Sequence, residues 1–383
     1  MNSSAGYDVI IIGGGIQGCA TAYHLARRGI DVLLLEAESC GRHASGANAG
    51  GVRCLNRLVE EIPLSLAAQR IWLELEDELG SDCGFRATGQ VRIAENQADM
   101  SKLEERATLV RSFGFHHEEM IDRAELRKLV PAVAEYCIGA LVCRNDGYAK
   151  PFLTTRAYLA RAGQEGATVL ERHPVSRIER ERDSWRVTAS GRHFHAKTLV
   201  NCAGAWGDRI AEMVGDKAPL EVEALALMVT ARVAHFIDPV IGMASRKLSF
   251  KQMQNGTVVI GGALRAKVIG DRQHAQLDFA PLKESADTVR TVFPQLANLP
   301  VVRAWAGLEG VMPDKLPVIG ASPTAPDVFH AFGFSAHGFQ LAPAVGLAMA
   351  DLVTSGQSDF DLSAFRIDRF QGGRPQTGEI NGH

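Results

Sequence analysis

The chain has 383 residues, 46% of them hydrophobic, and 44 acidic against 41 basic side chains leave a net charge of -3; this suits two domains with a large interior and gives no electrostatic reason for nucleic acid or an anionic membrane as partner. Its seven cysteines (Cys19, Cys40, Cys54, Cys83, Cys137, Cys143, Cys202) are scattered, without C-x-x-C or zinc-type histidine spacing, which predicts reduced, buried thiols in a cytoplasmic protein and no metal site. No basic n-region opens the chain and no eighteen-residue apolar run interrupts it, so neither a signal peptide nor a membrane span is expected.

In chain order, Val9–Ile12 is a continuous apolar run that fits a buried parallel strand. Gly13, Gly15 and Gly18 follow as G-x-G-x-x-G. The first allows a tight turn, the second lets backbone approach a pyrophosphate, and the third lets the next helix pack closely. That helix is predicted over Gln17–Arg28, with Gly29 beyond its end, followed by a strand over Asp31–Leu35. Glu36 then stands 18 residues after Gly18, where a carboxylate can hold ribose hydroxyls. The stretch "CGRHASGANAGGVRCLNR", Cys40–Arg57, has no strand or helix period; its small residues suit a loop running along an extended dinucleotide. The pattern to this point serves NAD(P) enzymes and flavoproteins alike.

Helices are predicted over Pro63–Leu79, Asp99–Phe113, Arg123–Leu129 and Pro151–Gln164, and strands over Gln90–Ala94 and Ile138–Cys143, with "NDGYAKP" as a turn. Short strands follow at Thr168–Glu171, Val175–Arg180 and Trp185–Ala189. "KTLVNCAGAWGDRIAEMVG", Lys197–Gly215, returns to strand, small-residue turn and helix, a second nucleotide-side element far from the first. Glu221–Ala231 and Thr257–Gly262 read as strands of another sheet, and Leu282–Val292 as a helix near it. Val301–Ala306 and Val328–Phe332 read as strands, and Leu341–Thr354 as a last helix. The expected architecture is α/β (α+β): a Rossmann-like nucleotide domain from 1–85, 150–215 and 300–370, an interleaved, mainly antiparallel substrate domain from 86–149 and 216–299, and a flexible tail, 371–383.

The glycine motif, "NCAGAW" (Asn201–Trp206), "RAWAGLEGVMPDKLPVIG" (Arg303–Gly320) and "GFSAHGFQLAPAVG" (Gly333–Gly346) together resemble the D-amino-acid oxidase superfamily of flavoproteins. The pattern is most similar to the branch of sarcosine oxidase, glycine oxidase and the dye-linked proline dehydrogenase β-subunit. The resemblance implies FAD. It assigns to the cofactor Gly13, Gly15, Ile16, Gln17, Gly18, Glu36 and Ala37 of the first unit, and Arg42, His43, Ser45, Asn48, Ala49, Gly50 and Gly51 of the loop. Val175, Ala203, Gly204, Trp206 and Gly307 join them, with Gly333, His337, Gly338, Phe339 and Gln340 at the isoalloxazine end. Some relatives tether flavin through a cysteine shortly before the C-terminal "PD"; here "AGLEGVMPD" has none, so FAD is expected to be noncovalent.

The implied chemistry is oxidation of an amino acid's C–N bond, with a secondary amine of sarcosine, proline, hydroxyproline or opine type as substrate. Hydride passes to flavin N5 and the imine product hydrolyses. Electrons then go to O2 or to a protein or quinone acceptor, and partner dehydrogenase subunits are an accompanying expectation. Alternatives are oxidation of an α-hydroxy acid, or an FAD-bearing subunit of a multi-subunit dehydrogenase inactive alone. Candidate catalytic residues are His337, Arg53, Gln340 and Glu309. Gln340 stands where monomeric sarcosine oxidases carry lysine, and Glu309 where glycine-oxidase-like members carry arginine; the resemblance implies Arg53 in "GGVR" as the remaining partner of the substrate carboxylate, because sarcosine oxidases and proline dehydrogenase β-subunits place arginine around that position. Glu309 is then expected to meet either a cationic part of the substrate or an internal basic residue. Lys247 and Lys251 are candidates for promoting O2 reduction electrostatically.

Overall fold

The computed structural model describes residues 6–272 and 274–371. The expected tail lies, but for Gln371, outside the described residues. Two sheets organise the rest. The first has a parallel core: the strand Gly6–Ile12 pairs with Val32–Leu35 on one side and Arg192–Asn201 on the other, and Thr168–Leu170 and Val328–Phe332 extend it. Val9 to Ile12 are buried throughout, because helices cover the layer. The helix Ile16–Ala26 is buried along its whole length, packed between Gly338–Ser355 and Pro151–Gln164. Antiparallel strands Val175–Glu181, Ser184–Ala189 and Val318–Ala321 complete the sheet.

The second sheet is antiparallel except where Val240–Met243 runs parallel to Gln90–Ala94. Its core is Val91, Ile93, Ile241, Phe250 and Ile260, closed by the helix Phe279–Val292. The chain passes between sheets repeatedly, so distant segments meet at their junction.

Local chemistry explains most boundaries. Pro63 sits in the first turn of Ile62–Leu79, which Gly80 ends in the left-handed conformation at φ 61°. Asn96 and Asp122 cap Gln97–Ser112 and Arg123–Leu129 by accepting backbone N–H bonds from Asp99 and Glu125. Several predictions need correction. Glu119–Asp122, Val240–Met243, Ser249–Gln252 and His274–Gln276 are strands that no period announces. Within Ser249–Gln252, polar Lys251 and Gln252 are buried, which hides the strand from a hydrophobicity reading. Val301–Val311 pairs along the length of Glu221–Thr230, so this strand belongs to the antiparallel sheet and not to the nucleotide side. The last helix begins at Gly338, one turn before its expected start.

Candidate functional site

A cavity of about 1270 Å³ is lined from both sheets, larger than the roughly 300–1,000 Å³ of ordinary ligand pockets. One end is the glycine turn. Gly13 adopts φ 111°, and a Cβ on Gly18 would lie 2.0 Å from the Gly13 carbonyl oxygen, so helix and turn are in backbone contact there. A Cβ on Gly15 would reach Ser45 Oγ at 3.0 Å. That hydroxyl accepts the Ile16 N–H at 2.8 Å, leaving its own proton to donate onward. Glu36 lies at the end of the second strand. Its carboxylate accepts N–H bonds from Gly14 at 2.7 Å and Glu38 at 2.8 Å, and it lines the cavity with acceptor capacity remaining.

At the other end the helix Gly338–Ser355 starts with no side-chain cap and no acidic residue in its first turn. Its free N–H groups and dipole offer a positive pole. Ser335 and Ala336 enter the helix at φ 50° and 67°, left-handed values that non-glycine residues resist. The two ends are tied together: Gln17 Nε2 donates to the Gly338 carbonyl at 2.7 Å, and Gln17 Oε1 is buried without a protein donor. Between them Trp305 Nε1 donates to the Ala47 carbonyl at 2.8 Å, and a Cβ on Gly307 would strike Ala47 Cβ at 2.7 Å. The antiparallel sheet therefore clamps the Cys40–Arg57 loop.

A polar network lies beneath the helix start. His337 contacts Glu61 through Nδ1 at 2.8 Å and Arg53 Nη2 through Nε2 at 3.2 Å. An arginine can only donate, so Nε2 accepts and Nδ1 carries the proton. Burial lowers the His337 ring to about 4, and Arg57 and Arg53 add to this against the pull of Glu61. Burial by itself would raise the Glu61 carboxyl, but His337, Arg57 and Arg53 outweigh it and hold it below its ordinary value. Arg53 also donates to the Leu55 carbonyl at 2.8 Å. Burial and Arg57 lower its guanidinium to about 9, still cationic at neutral pH. Asp146, from the "NDGYAKP" turn, fixes the loop by accepting N–H bonds from Cys54 at 2.7 Å and Leu55 at 2.9 Å and an amide bond from Gln69. Burial raises it to about 6.

Every residue expected at the cofactor lines the cavity except Gly18 and Gln340, and so do the candidates Arg53 and Glu309. Gly18 serves packing. The Gln340 side chain is 1% exposed; its Oε1 accepts from Arg57 and Ser65 and its Nε2 donates to the Ser65 carbonyl. Its place in the first helical turn directs it into the protein, away from the cavity lining. Arg57, Glu61 and Asp146 went unnoticed in the sequence; the Arg57/Glu61 spacing of four at a helix start was the available signal. Glu309 Oε1 accepts the Ala336 N–H at 3.1 Å. Among the described residues no basic side chain pairs with Glu309 within 4.0 Å, so of its two expected partners, a cationic part of the substrate or an internal basic residue, the second is not found there. Burial raises its carboxyl to about 7, eased by the Ala336 N–H and reinforced by Glu223. Lys247 lines the cavity, whereas Lys251 is 3% exposed, donates to the Ala49 carbonyl and sits 5.0 Å from the Tyr148 ring centroid. Burial lowers it to about 7.

These donors fit FAD. The Gly15–Ile16 helix start and Ser45 suit a pyrophosphate, Glu36 a ribose, and the Gly338 helix start the electron-rich edge of a flavin. No helix among the described residues is long and apolar enough to cross a membrane, and no cluster of three or more metal-ligating side chains occurs among them. Over 377 residues the chain is 28% identical to sarcosine oxidase subunit beta of Rhizobium meliloti (strain 1021), covering 96% of this chain and 89% of that one. It is 26% identical over 382 residues to glycine oxidase of Bacillus subtilis (strain 168), covering 95% and 97%. The crystal structure of L-proline dehydrogenase from P. horikoshii matches at TM-score 0.89 and 26% identity, covering 96% and 99%. Residues 8–352 match the family described as DAO, FAD dependent oxidoreductase, and with the cradle just described the chain belongs to that family.

Proposed function

We propose that this flavoenzyme oxidises the C–N bond of an amino acid, a secondary amine of sarcosine, proline, hydroxyproline or opine type, to an imine that hydrolyses. The observation that carries the reading is Arg53, a half-buried guanidinium lining the cavity beside the His337 turn. An anionic carboxylate in so dry a site needs such a partner, because leaving it unpaired costs several kcal/mol. Bound FAD supplies the two-electron acceptor; the protein supplies position. Arg53, held by the Leu55 carbonyl and His337, offers N–H donors to the carboxylate. Neutral His337 orients Arg53 without adding charge. Glu61 and Asp146 keep the cationic cluster balanced below.

We further infer noncovalent FAD held by the glycine turn, the Cys40–Arg57 loop and the Gly338 helix start, within domains of 1–85, 150–215 and 312–370 against 86–149 and 216–311. Likeness to a protein named as a beta subunit supports a second reading, in which partner subunits carry the electrons onward. The seven unpaired cysteines support a cytoplasmic setting. Anaerobic titration with N-alkylated and cyclic amino acids, following flavin absorbance, tests the reading. Arg53→Ala should raise KM about 10²-fold for carboxylate substrates, a charged hydrogen-bonded pair being worth roughly 1.5–3 kcal/mol or more, while flavin stays bound. Unchanged kinetics with every active substrate would show the assignment wrong.

A further inference from the structure

We propose that Glu309 is the base that takes the proton from the substrate's ammonium nitrogen before its C–N bond is oxidised; this rests on the amine-oxidation reading above. Free amino acids of this type carry a protonated nitrogen at neutral pH, as alkyl amines titrate near 10. The nitrogen must regain its lone pair before it can share it with carbon in an imine. Some group in the cavity must therefore accept that proton.

The other cavity-lining carboxylates and His337 are committed elsewhere; Glu38 is paired with Arg42 and Asp271 with Arg209. His337 Nδ1–H is bound to Glu61, its Nε2 already accepts from Arg53, and two guanidiniums oppose a second proton. Glu36 stands at the glycine turn, holding two backbone N–H groups. Glu223 is paired with Arg265 at 2.9 Å. Lys251 does not line the cavity.

Glu309 faces the cavity from Val301–Val311, and one oxygen is steadied by the Ala336 N–H. Arg53 reaches the same Ala336–His337 turn from the opposite segment of chain. A cation and a carboxylate thus flank one turn, matching the carboxylate and ammonium that an α-amino acid carries on neighbouring atoms. The step is a single proton transfer: the N–H bond breaks, the Glu309 O–H bond forms, and no electrons leave the substrate. A carboxyl poised near the working pH is suited to it, and burial raises this one to about 7. The charged and titratable groups on elements packed around it are Glu221 and Glu223 on the paired strand, Arg265 and Lys267 on the strand beyond it, His274 on His274–Gln276 and His337 at the turn; Ala44–Ala47 and Gly204–Trp206 carry none.

The test uses the FAD-loaded full chain and Glu309→Gln, which keeps the shape and the acceptor for Ala336. Anaerobic stopped-flow should show the second-order rate of flavin reduction falling 10²- to 10⁴-fold at pH 7. Because only neutral amine then reacts, the deficit should shrink about tenfold per pH unit toward the substrate's own pKa. A second readout needs no turnover: N,N,N-trimethylglycine, a fixed cation that cannot be deprotonated, should bind the wild type more tightly as pH rises through about 7, and bind Glu309→Gln with no such dependence. A deficit constant with pH, or trimethylglycine affinity flat in the wild type, overturns the proposal alone. Wild-type flavin that no amino acid reduces overturns the proposal and the amine-oxidation reading together.

Discussion

Glu61→Gln isolates the charge beneath the active site. Glu61 is fully buried, bonded to His337 at 2.8 Å, and the nearest carboxylate to Arg57 Nη1 at 3.9 Å, a nitrogen with no other hydrogen-bond partner. Glutamine keeps the shape and an acceptor for His337 Nδ1–H but removes the nearer of the two counter-charges of Arg57 and Arg53, leaving Asp146 alone. Removing one partner of a buried pair costs about 3–5 kcal/mol, and the isosteric change should fall near 3. A chain of 383 residues at about 2.1 cal/mol/K per residue unfolds with roughly 0.8 kcal/mol/K of entropy, so Tm should fall by about 4 °C. The pH dependence follows from the direction of the shift. The folded Glu61 value lies below its unfolded one, so its contribution is full above the unfolded pKa and vanishes as pH falls through the folded value. The gap between wild type and variant should therefore be full at pH 7 and narrow in acid. Differential scanning calorimetry of the holoprotein at pH 7 and in acid measures both. A Tm change under about 1 °C at pH 7, or a gap that persists in acid, would refute the counter-charge account.

Gly18→Ala should cost folding stability outright, since its Cβ would lie 2.0 Å from the Gly13 oxygen, whereas Gly15→Val should leave a folded apoprotein that binds FAD at least 10-fold more weakly, its Cβ displacing Ser45; denaturation curves and flavin titration separate the two. Acid precipitation should leave the yellow colour in the supernatant, because the one cysteine lining the cavity, Cys202, has a thiol raised to about 12 by burial and does not supply a thiolate; colour in the pellet would contradict noncovalent binding. Lys251→Met should flatten the stability profile above neutrality. The wild-type lysine is lowered to about 7, so the unfolded chain binds more protons between there and the normal lysine value, and wild-type stability rises with pH by up to about 1.4 kcal/mol per unit. Denaturant titrations at about pH 7.5 and about pH 9.5, both between the folded and the unfolded lysine values, test it by the loss of that slope in the variant.

Local rules were enough for the parts of this protein that answer to one neighbourhood of chain. The run Val9–Ile12, the three glycines and Glu36 are close in sequence and pack together, so the strand, the glycine turn and the position of the carboxylate at the end of the second strand were legible. The helices Ile62–Leu79 and Pro151–Gln164 carry their own start signals, and Gly80 ends the first. Tertiary structure decided what depends on distant chain. Ser249–Gln252 is a strand because two neighbours supply its hydrogen bonds, not because its residues favour one. Gln340 looked like a substrate contact from its place in a motif, but the helical turn it occupies sends it inward to Arg57 and Ser65. Glu61 and Asp146 gained their roles from Arg53, His337 and the loop they hold, and Glu309 met the Ala336 turn only through the pairing of Val301–Val311 with the antiparallel sheet. Sequence patterns report the periods and turn chemistry of one segment. A carboxylate's charge state and partners are fixed by burial and by residues hundreds of positions away, which only the folded chain brings within a few ångströms.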